Sequence, residues 1–125
     1  SQGYIDRHGV PEPGSLFDGH DLVVYQPYLQ HHKDLTLVSE PLGRGRIVAA
    51  LSSSLLVRRS IAAGIGIGEI PVYTGDRDGL VRLWPQRVRP LPYDVWLVTH
   101  ADLRHTARVR VVIDEIVAAF AGTGD

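Results

Sequence analysis

Three consecutive hydroxyls, Ser52-Ser53-Ser54, are the side chains of this 125-residue chain best placed to do chemistry. They follow Arg46-Ile47-Val48-Ala49-Ala50-Leu51, a β-branched and apolar run that reads as a strand. They precede Leu55-Leu56-Val57-Arg58-Arg59-Ser60-Ile61-Ala62-Ala63, which reads as a helix over 52–63 closed by Gly64. Serines at a strand-to-helix turn can cap the helix by accepting from the free N–H groups of its first turn. They can equally hydrogen-bond an anion, a carboxylate above all, together with the helix N-terminus. The two readings use the same groups, and both stand. Nucleophilic catalysis finds no support, because no Gly-x-Ser-x-Gly surrounds the serines and no titratable partner stands in the 51–54 turn.

The other suggestive residues reduce to structural roles. Gly64, Gly66 and Gly68 are not a dinucleotide fingerprint: Glu69 takes the third glycine's place, and the run follows a helix instead of opening one. Close backbone packing explains them better. His31 and His32 are adjacent and, with His20, lack any acidic residue at zinc-protease spacing, so a solvated loop is expected and no metal site. Asp76-Arg77-Asp78-Gly79 begins like a calcium loop, but the third acidic ligand is missing and Arg87 stands at the terminal glutamate position. Trp84 and Trp96 read as core or interface residues and not as ligand stackers. Glu69 is either a surface charge at a strand end or a polar group facing a cleft.

The turn must be held by the elements around it. Asp21-Leu22-Val23-Val24-Tyr25 reads as a strand, and Ile65, Ile67 and Ile70 as a short buried strand ended by Pro71. Strand 46–51, the serine turn, the helix, Gly64 and this second strand make a βαβ unit. In open α/β sheets ligands bind where the carboxyl ends of strands meet helix N-termini, which is here residues 51–54. Elsewhere the pattern predicts a helical turn over 3–8 closed by Gly9, and a turn at 15–17. A loop is expected over 26–35 and a short edge strand at Leu37-Val38. Glycine-bracketed residues 72–79 read as another loop. The alternating run Leu80-Val81-Arg82-Leu83-Trp84 predicts a strand, as does 93–99 after a connector carrying Pro85, Pro90 and Pro92. The clearest helix is 106–120, capped by Thr106 and ended by Gly122. Its apolar stripe is Val109, Val112, Ile113, Ile116, Val117 and Phe120. The alternation of helices and strands favours an α/β domain with a mixed sheet.

Bulk composition narrows the class. The 44% apolar share is that of a globular protein, and a formal charge of −1 argues against a nucleic-acid-binding surface. There is no cysteine for disulfides or thiolate metal sites, and no apolar run approaches the length of a membrane span. A chain without methionine that begins Ser-Gln-Gly is expected to be part of something longer.

Residues across 4–120 resemble one family. Ser1-Gln2-Gly3-Tyr4-Ile5-Asp6-Arg7-His8-Gly9-Val10-Pro11 is similar to a tyrosine-led helix followed by His-Gly-x-Pro, and Leu16 with Gly19-His20-Asp21-Leu22 to an Asp-Leu and His pattern. Gly64-Ile65-Gly66-Ile67 with Pro71 resembles Ala-Gly-x-Gly-Ile and its closing proline. Gly79-Leu80-Val81 with Pro85 resembles a strand leading back to a hinge, and Thr106-Ala107-Arg108-Val109-Arg110 the start of a last helix. In order and spacing these resemble the C-terminal effector-binding domain of LysR-type transcriptional regulators. No single motif is specific. Glu69 departs from the family, which is small or apolar there.

The resemblance implies a two-lobed fold of the periplasmic-binding-protein type, present here in part. Residues 1–92 would be lobe two with its hinge connectors, and 93–125 the returning strand and last helix of lobe one. The DNA-binding domain and the first part of lobe one are missing. It further implies a cytoplasmic regulator without catalysis, metal or cofactor. A small-molecule effector, anionic in the serine reading, would bind between the lobes and alter DNA binding by a shift of populations. The partners implied are the effector, further copies of the chain in a homodimer or higher oligomer, and DNA only through the missing domain, with no membrane. On this reading Ala50, Leu51, Ser52 and Ser53 form the lobe-two wall of the site, with Gln26 at the end of the first strand. The alternative is a stand-alone solute-binding module or a diverged enzyme lobe.

Overall fold

The computed structural model describes residues 1–31, 35–87, 95–103 and 105–121. The chain divides into two compact units, Ser1–Pro90 and Leu91–Asp125.

The first unit is built around β1 (Asp21–Tyr25), whose Leu22, Val23 and Val24 are all buried. A strand buried on both faces needs such an unbroken apolar run. Successive side chains leave a strand on opposite faces, and each face of β1 seeds its own core. Leu22 and Val24 pack with Phe17, and around them gather Leu29, Leu37, Leu42, Ile67 and Trp84. Val23 packs with Val57 and Ile61 of α3 (Ser54–Ala62), with Leu51, Ile70 and Leu80 at its margin.

β4 (Arg46–Leu51) pairs parallel with β1, from Asp21 opposite Arg46 to Tyr25 opposite Leu51, with a register shift between Leu22 and Val23. On the other side of β1 the expected 65–70 strand shrinks to one parallel bridge. The Ile67 amide donates to Asp21 O and Ile67 O accepts from the Val23 amide, each at 2.8 Å. Ile65 is exposed, so the three isoleucines are not a buried strand. The chain that leaves β4 through α3 thus returns on the far side of β1. The glycines allow the approach. A Cβ at residue 66 would lie 2.7 Å from Asp21 O, and one at residue 68 would lie 2.7 Å from Val23 O. Gly66→Ala and Gly68→Ala are therefore each expected to destabilise this unit by about 1–3 kcal/mol, the usual range for overpacking. Urea unfolding curves indistinguishable from those of the unsubstituted chain would contradict this.

The mixed sheet that the element order suggested gives way to two separate pairings. β1 and β4 are parallel, and the antiparallel pair β2 (Thr36–Leu37) with β3 (Glu40–Pro41) is a ribbon of its own. Val38, expected within a strand, is in the turn of that ribbon. It and Ser39 have φ of 47° and 64°, the two positive values that a tight hairpin turn requires. Glu69 Oε2 accepts from the Val38 amide at 2.9 Å and supports this disfavoured backbone.

Two expected loops are helical. Residues 26–31 form α2 (Gln26–His31), in which Pro27 occupies the first turn, where its missing N–H costs nothing. Residues 72–77 form α4 (Val72–Arg77) directly after Pro71, and a bidentate ion pair from Arg58 to Asp78 ties its end to α3. The expected strand 80–84 is absent. Trp84 has a left-handed φ of 50°, its ring lies 5.4 Å from that of Phe17, and its Nε1 donates to Pro11 O at 3.0 Å. The N-terminal helix ends at Gly9 as expected, and α1 (Gln2–His8) starts one residue earlier than the pattern predicts, capped by Ser1.

In the second unit α5 (Ala107–Ala121) follows Thr106, whose carbonyl accepts from the Val109 and Arg110 amides at 3.0 Å. Residues 95–99, expected in a strand, have no regular structure: their own unit offers no second strand to pair with among its described residues. Trp96 is exposed and belongs to no core. The expectations for His32, for Pro90, Pro92, Tyr93 and Asp94, and for Gly122 lie outside the described residues.

Candidate functional site

The last residues of β1 and β4, Tyr25 and Leu51, are partners in register, so both strands end at one edge. The chain runs from each into a helix: Gln26 opens α2, and Ser52-Ser53 lead into α3. All five expected site residues are thereby brought to one edge. Ala50, Ser52 and Gln26 are exposed there, and Leu51 and Ser53 are half-buried.

The two serines differ. Ser53 is the N-cap: its backbone is extended (φ −111°, ψ 122°), its Oγ accepts from the Leu56 amide at 3.5 Å, and its carbonyl accepts from the Val57 amide at 3.0 Å. Capping is therefore part of what Ser53 does. Ser52 precedes the cap with its side chain exposed. The first amides of a helix have no intrahelical acceptor, and the cap provides for only one of them. The N-terminus of α3 thus combines partial positive charge with donors and hydroxyls.

The opposite edge is the charged one. Arg46 Nε donates to Asp21 Oδ1 at 2.7 Å where β4 and β1 begin, and this bond holds the Asp21 carboxyl below its ordinary pKa. The carboxyl edge has hydroxyls, an amide and aliphatic groups, with no acid or base among the five residues to run proton-transfer chemistry.

A cavity of about 80 Å³ opens between β1, α2 and the hairpin, lined by Val24, Tyr25, Tyr28, Leu37 and Glu69 among others. It is well short of the few hundred Å³ usual for a ligand pocket. None of the five expected residues lines it. Glu69 is half-buried at the wall of this cavity, and its carboxylate bonds the hairpin turn. Tyr25 and Tyr28, edge to face with ring centroids 5.7 Å apart, flank the carboxyl edge and were not singled out from the sequence. An aromatic residue ending the first strand was the available signal. Among the described residues no group of acidic or histidine side chains could hold a metal ion, and no helix is long and apolar enough to cross a membrane.

A family model described as the LysR substrate binding domain matches residues 5–121. The chain belongs to that family. No curated protein and no solved structure matches it. LysR substrate-binding domains have the periplasmic-binding-protein type of α/β fold and are the effector-binding parts of transcription regulators, not enzymes. The parallel β1–β4 pair with α3 packed on it is consistent with that fold.

Proposed function

We propose that this LysR substrate-binding domain senses a small anionic effector at the carboxyl edge of β1 and β4, in a cleft between two lobes. Gln26, Ala50, Leu51, Ser52 and Ser53 form the lobe-two wall. The register of Tyr25 with Leu51 is the observation that carries the reading, because it puts Gln26 beside the serine turn at a helix N-terminus. Binding favours one arrangement of the lobes and so changes how the regulator's DNA-binding domain engages DNA. Residues 1–92 are read as lobe two and 93–125 as the last part of lobe one. The division of the chain near residue 90 supports this.

The test is a pair of substitutions in the full-length regulator. Ser53→Ala removes a cap and should cost about 1 kcal/mol of stability. Ser52→Ala, which removes no cap, should leave stability unchanged. Both should reduce effector-dependent transcription more than they reduce the amount of folded protein. A response that falls only in step with folded protein would reduce Ser53 to a cap and remove Ser52 from the site.

A further inference from the structure

The buried side chain of α1 is Tyr4, which fastens the helix to the sheet. Its hydroxyl oxygen accepts from the Asp21 amide at 2.8 Å and lies 3.3 Å from His20 Nδ1. A tyrosine hydroxyl has one proton to donate, and His20 Nδ1 is the side-chain acceptor in reach. The network thus assigns His20 as the neutral ring with its hydrogen on Nε2. His20 is itself buried. On the other face of Tyr4 the His8 ring stacks with centroids 4.3 Å apart, and its Nδ1 lies 3.1 Å from Tyr4 O.

The charges around the Tyr4–His20 pair come from three elements. α1 brings Tyr4, His8 and Arg7, β1 brings Asp21, and β4 brings Arg46, whose amide also donates to His20 O at 2.9 Å. Asp21 is the one group favouring a proton on His20, and its carboxylate is already engaged by Arg46. Burial opposes the proton first and His8 second, so the His20 pKa lies below its ordinary value of 6.5.

We propose that His20 is an acid-sensitive clasp: protonation at Nδ1 removes the acceptor of the Tyr4 hydroxyl and releases α1 from β1, while the sheet and α3 stay formed. The release would reach further than α1. The Arg7 guanidinium donates to Gly64 O at 3.0 Å, so α1 also holds the residue that closes α3. The clasp and the serine turn sit at opposite ends of that helix. Because the folded-state value is depressed, the docked state is fully favoured above the free-histidine value. It is lost as pH falls below that value and through the folded one. Across that window the opening constant of α1 rises by up to about tenfold per pH unit.

Amide hydrogen exchange and histidine ring NMR on the chain, from about pH 7.5 to about pH 5 and corrected for intrinsic exchange rates, test the clasp. Protection of the Gly9 and Asp21 amides should fall as pH drops from the free-histidine value to the midpoint of the His20 ring titration and level off below it, while the Val57 and Ile61 amides of α3 keep theirs. His20→Asn, which keeps an acceptor near the Nδ1 position without titrating, should abolish the fall. His8→Gln, which removes a repelling ring, should move the midpoint upward. Three outcomes would overturn the proposal: flat protection at Asp21, an equal fall in His20→Asn, or loss of protection at α3 together with α1. Should His20→Asn fail to fold, the unsubstituted chain decides, since Asp21 protection that goes on falling below the ring midpoint would overturn it as well.

Discussion

Arg87→Ala is expected to lower the stability of the first unit by about 2–4 kcal/mol. Glu40 is buried, and its carboxylate accepts from Arg87 Nη1 at 2.7 Å and from the Leu16 amide at 3.0 Å. Removing one partner of a buried pair leaves an uncompensated charge, which costs about 3–5 kcal/mol when both groups are inside. Arg87 is 36% exposed, so solvent screening reduces the figure. The loss also includes packing, because the Arg87 guanidinium lies 4.9 Å from the Trp84 ring centroid. Arg87 first, then the Leu16 and Gly14 amides, hold the Glu40 carboxyl below its ordinary value against the opposing effect of burial. With the folded-state value depressed, this stability is complete above the unfolded carboxylate value. It is lost as pH falls through the folded one. Arg87→Ala should accordingly move acid unfolding to higher pH. Denaturant curves at neutral pH and an acid titration by circular dichroism measure both effects. An unchanged acid midpoint would remove Glu40 from the account.

The second large effect concerns association. Purified chain should scatter light as a dimer, and Ile113→Glu should weaken that dimer by at least about tenfold, or 1.4 kcal/mol. Of the six apolar residues in the α5 stripe, Val109 and Ile113 are half-buried, and Val112, Ile116, Val117 and Phe120 are exposed. Burying a side chain of this kind contributes roughly 1.5–3 kcal/mol. Leaving Val112, Ile116 and Val117 in water forgoes an amount comparable with the net stability of a small domain, about 5–15 kcal/mol. A second copy of the chain is the partner we propose, with α5 exchanged between copies, a low-cost route to a dimer. A clean monomer with α5 ordered would show that the stripe needs no cover.

What the sequence made legible were elements whose signals are local. β1 follows from three adjacent apolar residues, α3 from Ser53 before it and Gly64 after it, and α5 from its stripe. The carboxyl edge was legible for the same reason, since it needs only the ends of β1 and β4 and the start of α3. Short helices carrying a breaker were not: Pro27 in α2 and Gly75 in α4 outweighed any helical pattern in six residues. Nor could sequence show that Trp84 would pack on Phe17 and bond Pro11, with Leu80 on the other core, instead of 80–84 pairing with a neighbouring strand. Arg87 and Glu40 are 47 residues apart, and nothing near either one announces the other. The cavity at Glu69 is not legible because Pro27 masks the helical pattern of α2, which forms one of its walls.

β1 precedes both of the strand partners it has among the described residues, which come from 46–51 and from Ile67. No hairpin can form it, because parallel pairing requires long loops to close before any ladder contact repays them. Until residue 67 is available, Leu22-Val23-Val24 is an apolar segment without its native partners, the kind of run that captures other chains during slow assembly. The residues that centre the finished domain are therefore also those most exposed to misassociation while it folds. Refolding yield should fall with protein concentration more steeply than native solubility does.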